Sequence, residues 1–144
     1  MPPNRKKRVM IFGTFDILHL GHFHIFMKAR KMGDEVVAVI ARDINVQKIK
    51  GQKAFHSEQE RKFILSRIDL IDHAVLGDKK DVYKMIKKMK PYIILLGYDQ
   101  TNFADKLQEN LEKNNLKTKV VRAKPFNSRH YKTTKIKEYL NRFL

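Results

Sequence analysis

The stretch Gly13-Thr14-Phe15-Asp16-Ile17-Leu18-His19-Leu20-Gly21-His22 concentrates residue types that handle phosphate. Two imidazoles, three apart, bracket a glycine where an apolar run gives way to a helical period. Imidazole N–H groups can donate to charge that develops on a phosphate in a transition state. A neighbouring anion favours their protonated form, so a requirement for imidazolium predicts turnover that falls as pH rises through its titration. Gly21 lets a phosphate approach the backbone, and a helix start adds free N–H groups and the positive end of its dipole. One histidine near a helix start is more often a polar cap than a catalyst. The pair around Gly21 is what points to chemistry. The stretch has neither the Gly-Lys-Ser/Thr of a Walker loop nor a Gly-x-Gly-x-x-Gly turn. His19, His22 and His24 also invite a zinc reading, but His24 falls off the shared side and no cysteine exists to complete a sulfur site.

Other candidates are spread along the chain. Asp99, in Leu95-Leu96-Gly97-Tyr98-Asp99-Gln100, ends a strand at the crevice and can accept from ribose hydroxyls or sit near a metal on the phosphates, although such an aspartate is commonly a turn residue. Thr133 and Thr134 open the last helix, where hydroxyls and free N–H groups serve as a cap, as a phosphate site, or as both. Arg129, His130 and Lys132 add charge just before them. Arg61 suits a triphosphate contact or the solvent equally well. Lys48 and Lys50, assigned to the loop after the second strand, read as substrate-binding or as surface charge.

The elements that would position these groups alternate. Short runs rich in Val, Ile and Leu at Arg8 to Phe12, Glu35 to Ile40, His73 to Leu76, Tyr92 to Leu96 and Lys119 to Val121 predict parallel strands covered on both faces. Between them, helical periods run from His22 to Met32, with Phe23, Phe26, Met27 and Arg30 on one side and Gly33 as the C′ residue. A second helix begins at Ser57, with Glu60 completing a capping box ahead of Phe63, Ile64 and Ile68. A third covers Lys80 to Lys90, with Val82, Met85, Ile86 and Met89 inside and Pro91 closing it. A fourth carries Phe103, Leu107 and Leu111. The last carries Ile136, Tyr139, Leu140 and Phe143. Five βα units with right-handed crossovers predict an α/β fold: a Rossmann-like, doubly wound, five-stranded parallel sheet with helices on both faces. Ligands then bind beyond the carboxyl ends of the strands, beside the first.

Composition bounds the rest. The 144 residues, 42% of them hydrophobic, suit a single domain over 1–144 with a basic N-terminal extension at 1–7. Lack of cysteine excludes a disulfide framework and a thiolate nucleophile, and points to the cytoplasm. No apolar run reaches the roughly 20 residues of a membrane span, and no signal-peptide core follows Arg5 to Arg8. A net charge of +16 predicts anionic partners. The basic residues are dispersed, with no basic-aromatic repeat, which argues against nucleic acid as the main partner.

Gly-Thr-Phe-Asp-x-x-His-x-Gly-His resembles the motif of the nucleotidyltransferase superfamily that includes glycerol-3-phosphate cytidylyltransferase, pantetheine-phosphate adenylyltransferase and the archaeal FAD synthases. Lys53 to Arg61 and Thr133-Thr134-Lys135-Ile136 resemble further segments of that superfamily, and Gly97-Tyr98-Asp99-Gln100 resembles the archaeal FAD synthases in particular. The resemblance implies transfer of AMP from ATP to FMN, giving FAD and pyrophosphate, with a divalent cation such as Mg²⁺ on the triphosphate and no covalent enzyme intermediate. It implies His19 and His22 as catalytic residues, and nucleotide contacts from Thr14, Phe15, His19, Leu20, Gly21, His22, Asp99, Phe126, Arg129, Thr133 and Thr134. It implies acceptor contacts from Lys48, Lys50 and Arg61, no metal held by protein side chains alone, and a homodimer. Within the same chemistry, CTP with glycerol 3-phosphate and an adenylyl transfer to a sugar phosphate of cell-envelope synthesis are the alternatives. A nucleotide- or RNA-binding module without turnover is the alternative outside it. Some archaeal FAD synthases carry cysteines before the last helix; Asn127 to His130 stand there in this chain.

Overall fold

Five runs of aliphatic residues form one sheet in the computed structural model, which describes residues 6–125 and 133–143. The strands are β1 (Arg8–Gly13), β2 (Glu35–Ile40), β3 (His73–Leu76), β4 (Ile93–Leu96) and β5 (Lys119–Arg122). All pair in parallel in the order β3-β2-β1-β4-β5. Chain order therefore reverses at β1, which lies between β2 and β4 with Val9 opposite both Val36 and Ile93. The doubly wound sheet expected from the sequence is the one observed, and its switch point opens at the end of β1.

The helices are α1 (Leu20–Met32), α2 (Asp43–Lys50), α3 (Glu58–Ser66), α4 (Lys84–Met89), α5 (Thr101–Asp105), α6 (Leu107–Lys113) and α7 (Thr133–Asn141). Successive strand residues face opposite ways, so the sheet builds two cores. Val9, Ile11, Val36, Ala38, Ile93 and Leu95 pack with Phe26 and Ala29 of α1 and Leu65 of α3. Met10, Val37, Val39, Ile94 and Leu96 pack with Ile86 of α4 and Leu107 and Leu111 of α6. Each fully buried large side chain contributes roughly 1.5–3 kcal/mol. Among the described residues no helix is long and apolar enough to cross a membrane.

Several boundaries differ from the expected ones. α1 starts at Leu20 because His19, and not a residue nearer His22, is its cap. α2 was not expected at all. It occupies what looked like a loop, with Asp43 in its first turn and Gly51 closing it in the left-handed region at φ 72°. Lys48 and Lys50 are thus helical. α4 is confined to Lys84–Met89, because Asp78 accepts from the N–H groups of Lys80 and Asp81, and Asp81 accepts from that of Tyr83. Those side chains offer the backbone a turn in place of a helical start. The fourth helix breaks at Lys106 into α5 and α6. Val82, expected inside, is exposed, as are Met27 of α1, Phe63 of α3, and Tyr139, Leu140 and Phe143 of α7.

Gly33 follows α1 as expected, but for another reason. Its φ of −161° is extended, which any residue adopts. A Cβ there would run into the carbonyl oxygen of Lys7 and lie 2.8 Å from Val9 Cγ2. The glycine lets the end of α1 pass against the start of β1, where Asp34 and Glu35 donate their N–H groups to Lys7. Gly33→Ala is expected to destabilise the protein by about 2–3 kcal/mol through this overlap, read as a lower urea midpoint with an unchanged slope.

Candidate active site

The carboxyl ends of β1 and β4 frame a crevice of about 970 Å³. Its walls are the 11–25 segment, the end of α2 with residues 52–54, the turn after β4, and one side of α7. That side presents Thr134, Lys137, Glu138 and Asn141, spaced as one helical stripe.

The conformation of the first wall is set by the chain that leaves β1. Phe15 adopts φ 53°, the left-handed region that non-glycine residues seldom occupy. The turn sends its ring into the core, with centroids 5.9 Å from His22 and 5.8 Å from Phe26. Gly13 lies directly over that ring, where a Cβ would meet it at 3.0 to 3.2 Å. The backbone of Thr14 and Phe15 is thereby left at the crevice. Asp16, only 6% exposed, accepts from the N–H groups of Phe55 at 2.7 Å and His56 at 2.8 Å. The Lys137 ammonium stands 3.7 Å from it, which joins α7 to this wall.

The two histidines cap α1 reciprocally. His19 Nδ1 accepts from the Gly21 N–H at 3.1 Å, and His22 Nδ1 accepts from the His19 N–H at 3.2 Å. Their ring centroids are 4.0 Å apart. With both Nδ1 atoms accepting, each neutral ring carries its proton on Nε2. Burial lowers the pKa of His19. His22 is lowered from 6.5 to about 4, chiefly by burial and further by the charges of His19 and Lys50. At neutral pH the free protein therefore presents two neutral Nε2–H donors, where the sequence suggested imidazolium.

The remaining candidates divide. Asp99 and Thr134 line the crevice, as do Thr14, Phe15, Gly21 and Lys50. Lys50 is exposed at the end of α2, yet partial desolvation lowers its pKa; Asp16 and Asp99 oppose that shift while Lys137 and Arg61 add to it. Lys48 is exposed and Leu20 is 55% exposed, and neither is part of the lining. Thr133 is the first residue of α7. Phe126 and Arg129 lie outside the described residues.

Arg61 is a correction. Its side chain is 0% exposed, and its guanidinium is turned to acceptors of the protein in place of a bound ligand or the solvent. It donates from Nη1 to the carbonyls of Thr14 and Ala41, both at 2.8 Å, from Nε to that of His56 at 3.2 Å, and from Nη2 to Asp43 at 2.7 Å. The guanidinium spends its charge holding three loops together.

Asp16, Gln100 and Lys137 were not singled out from the sequence. Gln100 donates from Nε2 to the Phe12 carbonyl at 2.7 Å and accepts the Gly97 N–H on Oε1 at 2.7 Å, which ties the end of β1 to the turn after β4. Asp16 sits inside the first motif and Gln100 inside Gly97-Tyr98-Asp99-Gln100, so both positions were signalled; Lys137 carried no signal that separates it from surface residues. Among the described residues no three His, Asp or Glu side chains converge as a metal cage. Asp16, Asp99 and Glu138 are the carboxylates of the crevice lining, and oxygen ligands of this kind suit a cation that arrives on phosphates and keeps its own waters.

Residues 10–139 match the family described as Cytidylyltransferase-like. An FAD synthase of Aciduliprofundum boonei is 44% identical over 119 residues, 83% of this chain and 79% of that protein. An FAD synthase of Archaeoglobus profundus is 44% identical over 117 residues, 81% of this chain and 74% of that protein. Among solved structures, the lipopolysaccharide core biosynthesis protein of Thermoplasma volcanium is 38% identical with a TM-score of 0.80, over 85% of this chain and all of that one.

The histidine cap makes stability pH-dependent with a fixed sign. The unfolded chain takes up a proton on His22 near 6.5, whereas the folded chain refuses it until about 4. The contribution is full above 6.5 and is lost as pH falls toward 4, by an amount on the order of 3 kcal/mol. His22→Asn, which keeps an acceptor but does not titrate, is expected to flatten the fall between pH 6.5 and 4 in urea denaturation.

Proposed function

The chain belongs to the cytidylyltransferase-like family, and we propose that within it this protein is an FAD synthase, transferring the adenylyl group of ATP to FMN. The single observation that carries the reading is the reciprocal histidine cap at the switch point of the sheet, in a chain 44% identical to an FAD synthase over most of its length. The crevice volume lies at the upper end of the range for small-molecule sites, as two nucleotide-sized substrates require.

A phosphate oxygen of FMN attacks the α-phosphorus of ATP in line. The new P–O bond forms as the bond between the α-phosphorus and its bridging oxygen breaks, and the electron pair leaves with pyrophosphate. The nucleophile is already anionic, so no strong base is needed; positioning and neutralisation of charge carry the catalysis. His19 and His22 donate from Nε2 to the α-phosphate and the oxygen of the leaving group. Lys50 and Lys137 place ammonium charge near Asp16 and neutralise the triphosphate and the incoming phosphate. Thr14 and Phe15 contribute backbone contacts, Thr134 meets the outer phosphates, and Asp99 orients the ribose. A divalent cation, Mg²⁺ in this reading, would supply charge neutralisation on the triphosphate when bound, and Asp99 in the crevice lining would help to hold it. We read residues 1–144 as one nucleotidyltransferase domain, acting as a homodimer in the cytoplasm.

A second reading has its own support. The Thermoplasma volcanium structure, 38% identical, is named for lipopolysaccharide core biosynthesis. Adenylyl transfer to a sugar phosphate would use the same histidines with a different acceptor. Gly97-Tyr98-Asp99-Gln100 and the 44% identity to FAD synthases favour FMN.

Incubation of the protein and Mg²⁺ with FMN and either ATP or CTP, with flavins resolved by chromatography and mass, is expected to yield FAD with ATP alone. No flavin product with either nucleotide sinks the assignment. His19→Ala and His22→Ala are each expected to lower turnover by roughly 10²–10³-fold with folding retained. Because the donors are neutral, turnover should hold level from pH 6.5 to 8 in place of falling.

A further inference from the structure

We propose that the pole of the sheet opposite the crevice, where Lys7 and Lys119 flank the exposed ring of Tyr92, binds single-stranded nucleic acid, with phosphates on the lysines and a base on the tyrosine. The proposal is independent of the chemistry read from the crevice.

Dispersed in sequence, these lysines are gathered by the fold. Lys7 Nζ lies 5.3 Å and Lys119 Nζ 5.6 Å from the Tyr92 ring centroid. The backbone fixes the grouping: Tyr92 donates its N–H to Arg8 at 2.8 Å, and Lys119 donates its N–H to Tyr92 at 3.0 Å. These are the amino-terminal ends of β1, β4 and β5. Lys6, Lys90 and Lys117 flank them in sequence and are exposed.

The basic side chains of this pole outnumber its acids. The acids of this pole are already engaged: Asp34 accepts the Lys7 N–H at 3.0 Å, Glu35 pairs with Arg8, and Asp72 pairs with Arg30 and accepts the Val36 N–H. Among the described residues, none of Lys6, Lys7, Lys90, Lys117 and Lys119 forms an ion pair with a carboxylate. Two anionic substrates in the crevice do not call for this charge, so the pole accounts for part of the net +16.

The ring selects the class of polyanion. A phosphate is a stronger partner for an ammonium than a ring face, so a bound strand draws Lys7 and Lys119 outward. The freed ring then stacks an unpaired base, which a duplex does not offer. An anionic bilayer or an acidic protein would use the lysines without needing the ring. Strands of four to six residues separate this pole from the crevice by about 13–20 Å, so both can be occupied together.

The test is fluorescence anisotropy of the full chain with a labelled oligouridylate at several salt concentrations. Affinity is expected to fall with salt, with a log–log slope of about −0.7 per phosphate contact. Lys7→Ala with Lys119→Ala should weaken binding at least about tenfold and make the slope shallower by about 1.4. Tyr92→Ala should weaken it about tenfold, and Tyr92→Phe should restore it. Lys50→Gln, in the crevice, should leave it unchanged. Unaltered affinity in the double lysine variant overturns the proposal. Loss with the lysines, but none with Tyr92→Ala, and equal competition by inorganic polyphosphate also overturn it, since they leave only general attraction for polyanions.

Discussion

The crevice depends on one buried cation. Arg61 sits on the first turns of α3, and its guanidinium reaches the carbonyls of Thr14, Ala41 and His56 and the Asp43 carboxylate. These belong to the loop after β1, the loop after β2 and the entry to α3. Loops that leave adjacent parallel strands have no ladder to hold them, and their carbonyls would otherwise need water. A fully desolvated guanidinium is costly unless its donors are satisfied. Four bonds, one to a carboxylate, meet that demand and fix three loops at once. Asp16 adds the complementary tie, its carboxylate taking the N–H groups of Phe55 and His56. The same two loops are thus stitched by a buried cation on carbonyls and a buried anion on amides.

On this frame the histidine pair is oriented before any substrate arrives. A helix start leaves N–H groups without partners, and here imidazole nitrogens take the place of the usual Ser or Asp oxygen. The substitution has a chemical consequence that an oxygen cap lacks. An imidazole that accepts on Nδ1 must present N–H on Nε2, so capping the helix and aiming a donor at the crevice are one act. Desolvation keeps both rings neutral, and the positive charge comes instead from Lys50 and Lys137, whose long side chains can follow a phosphate as it moves.

Much of this was legible in the sequence. β2 and β3 are found between the residues expected, since continuous Val, Ile and Ala runs have no competing period. Ser57 caps α3 through the Glu60 N–H at 3.2 Å, as its spacing implied. The motif residues converge on the switch point because the order of strands and helices leaves them nowhere else to go. What escaped is where tertiary contacts outweigh local pattern. α2 has only eight residues and one buried side chain, Val46, too weak a period to register. Arg61 looks like a helix-surface cation, and only the meeting of loops far apart in sequence turns it inward. Gly33 reads as a cap glycine, whereas the passing Lys7 carbonyl is what forbids a side chain. The lysines around Tyr92 read as scatter until β1, β4 and β5 align.

The claim on which the chemistry turns is the state of the two rings. Nitrogen-15 NMR of histidine-labelled protein at pH 7, with His19→Gln and His22→Gln variants to assign the signals, reads it directly. The account predicts that both rings are neutral, with the proton on Nε2 and a bare Nδ1, and that His22 stays neutral down to about pH 4. An imidazolium at either position at pH 7, or a proton on Nδ1, would contradict it.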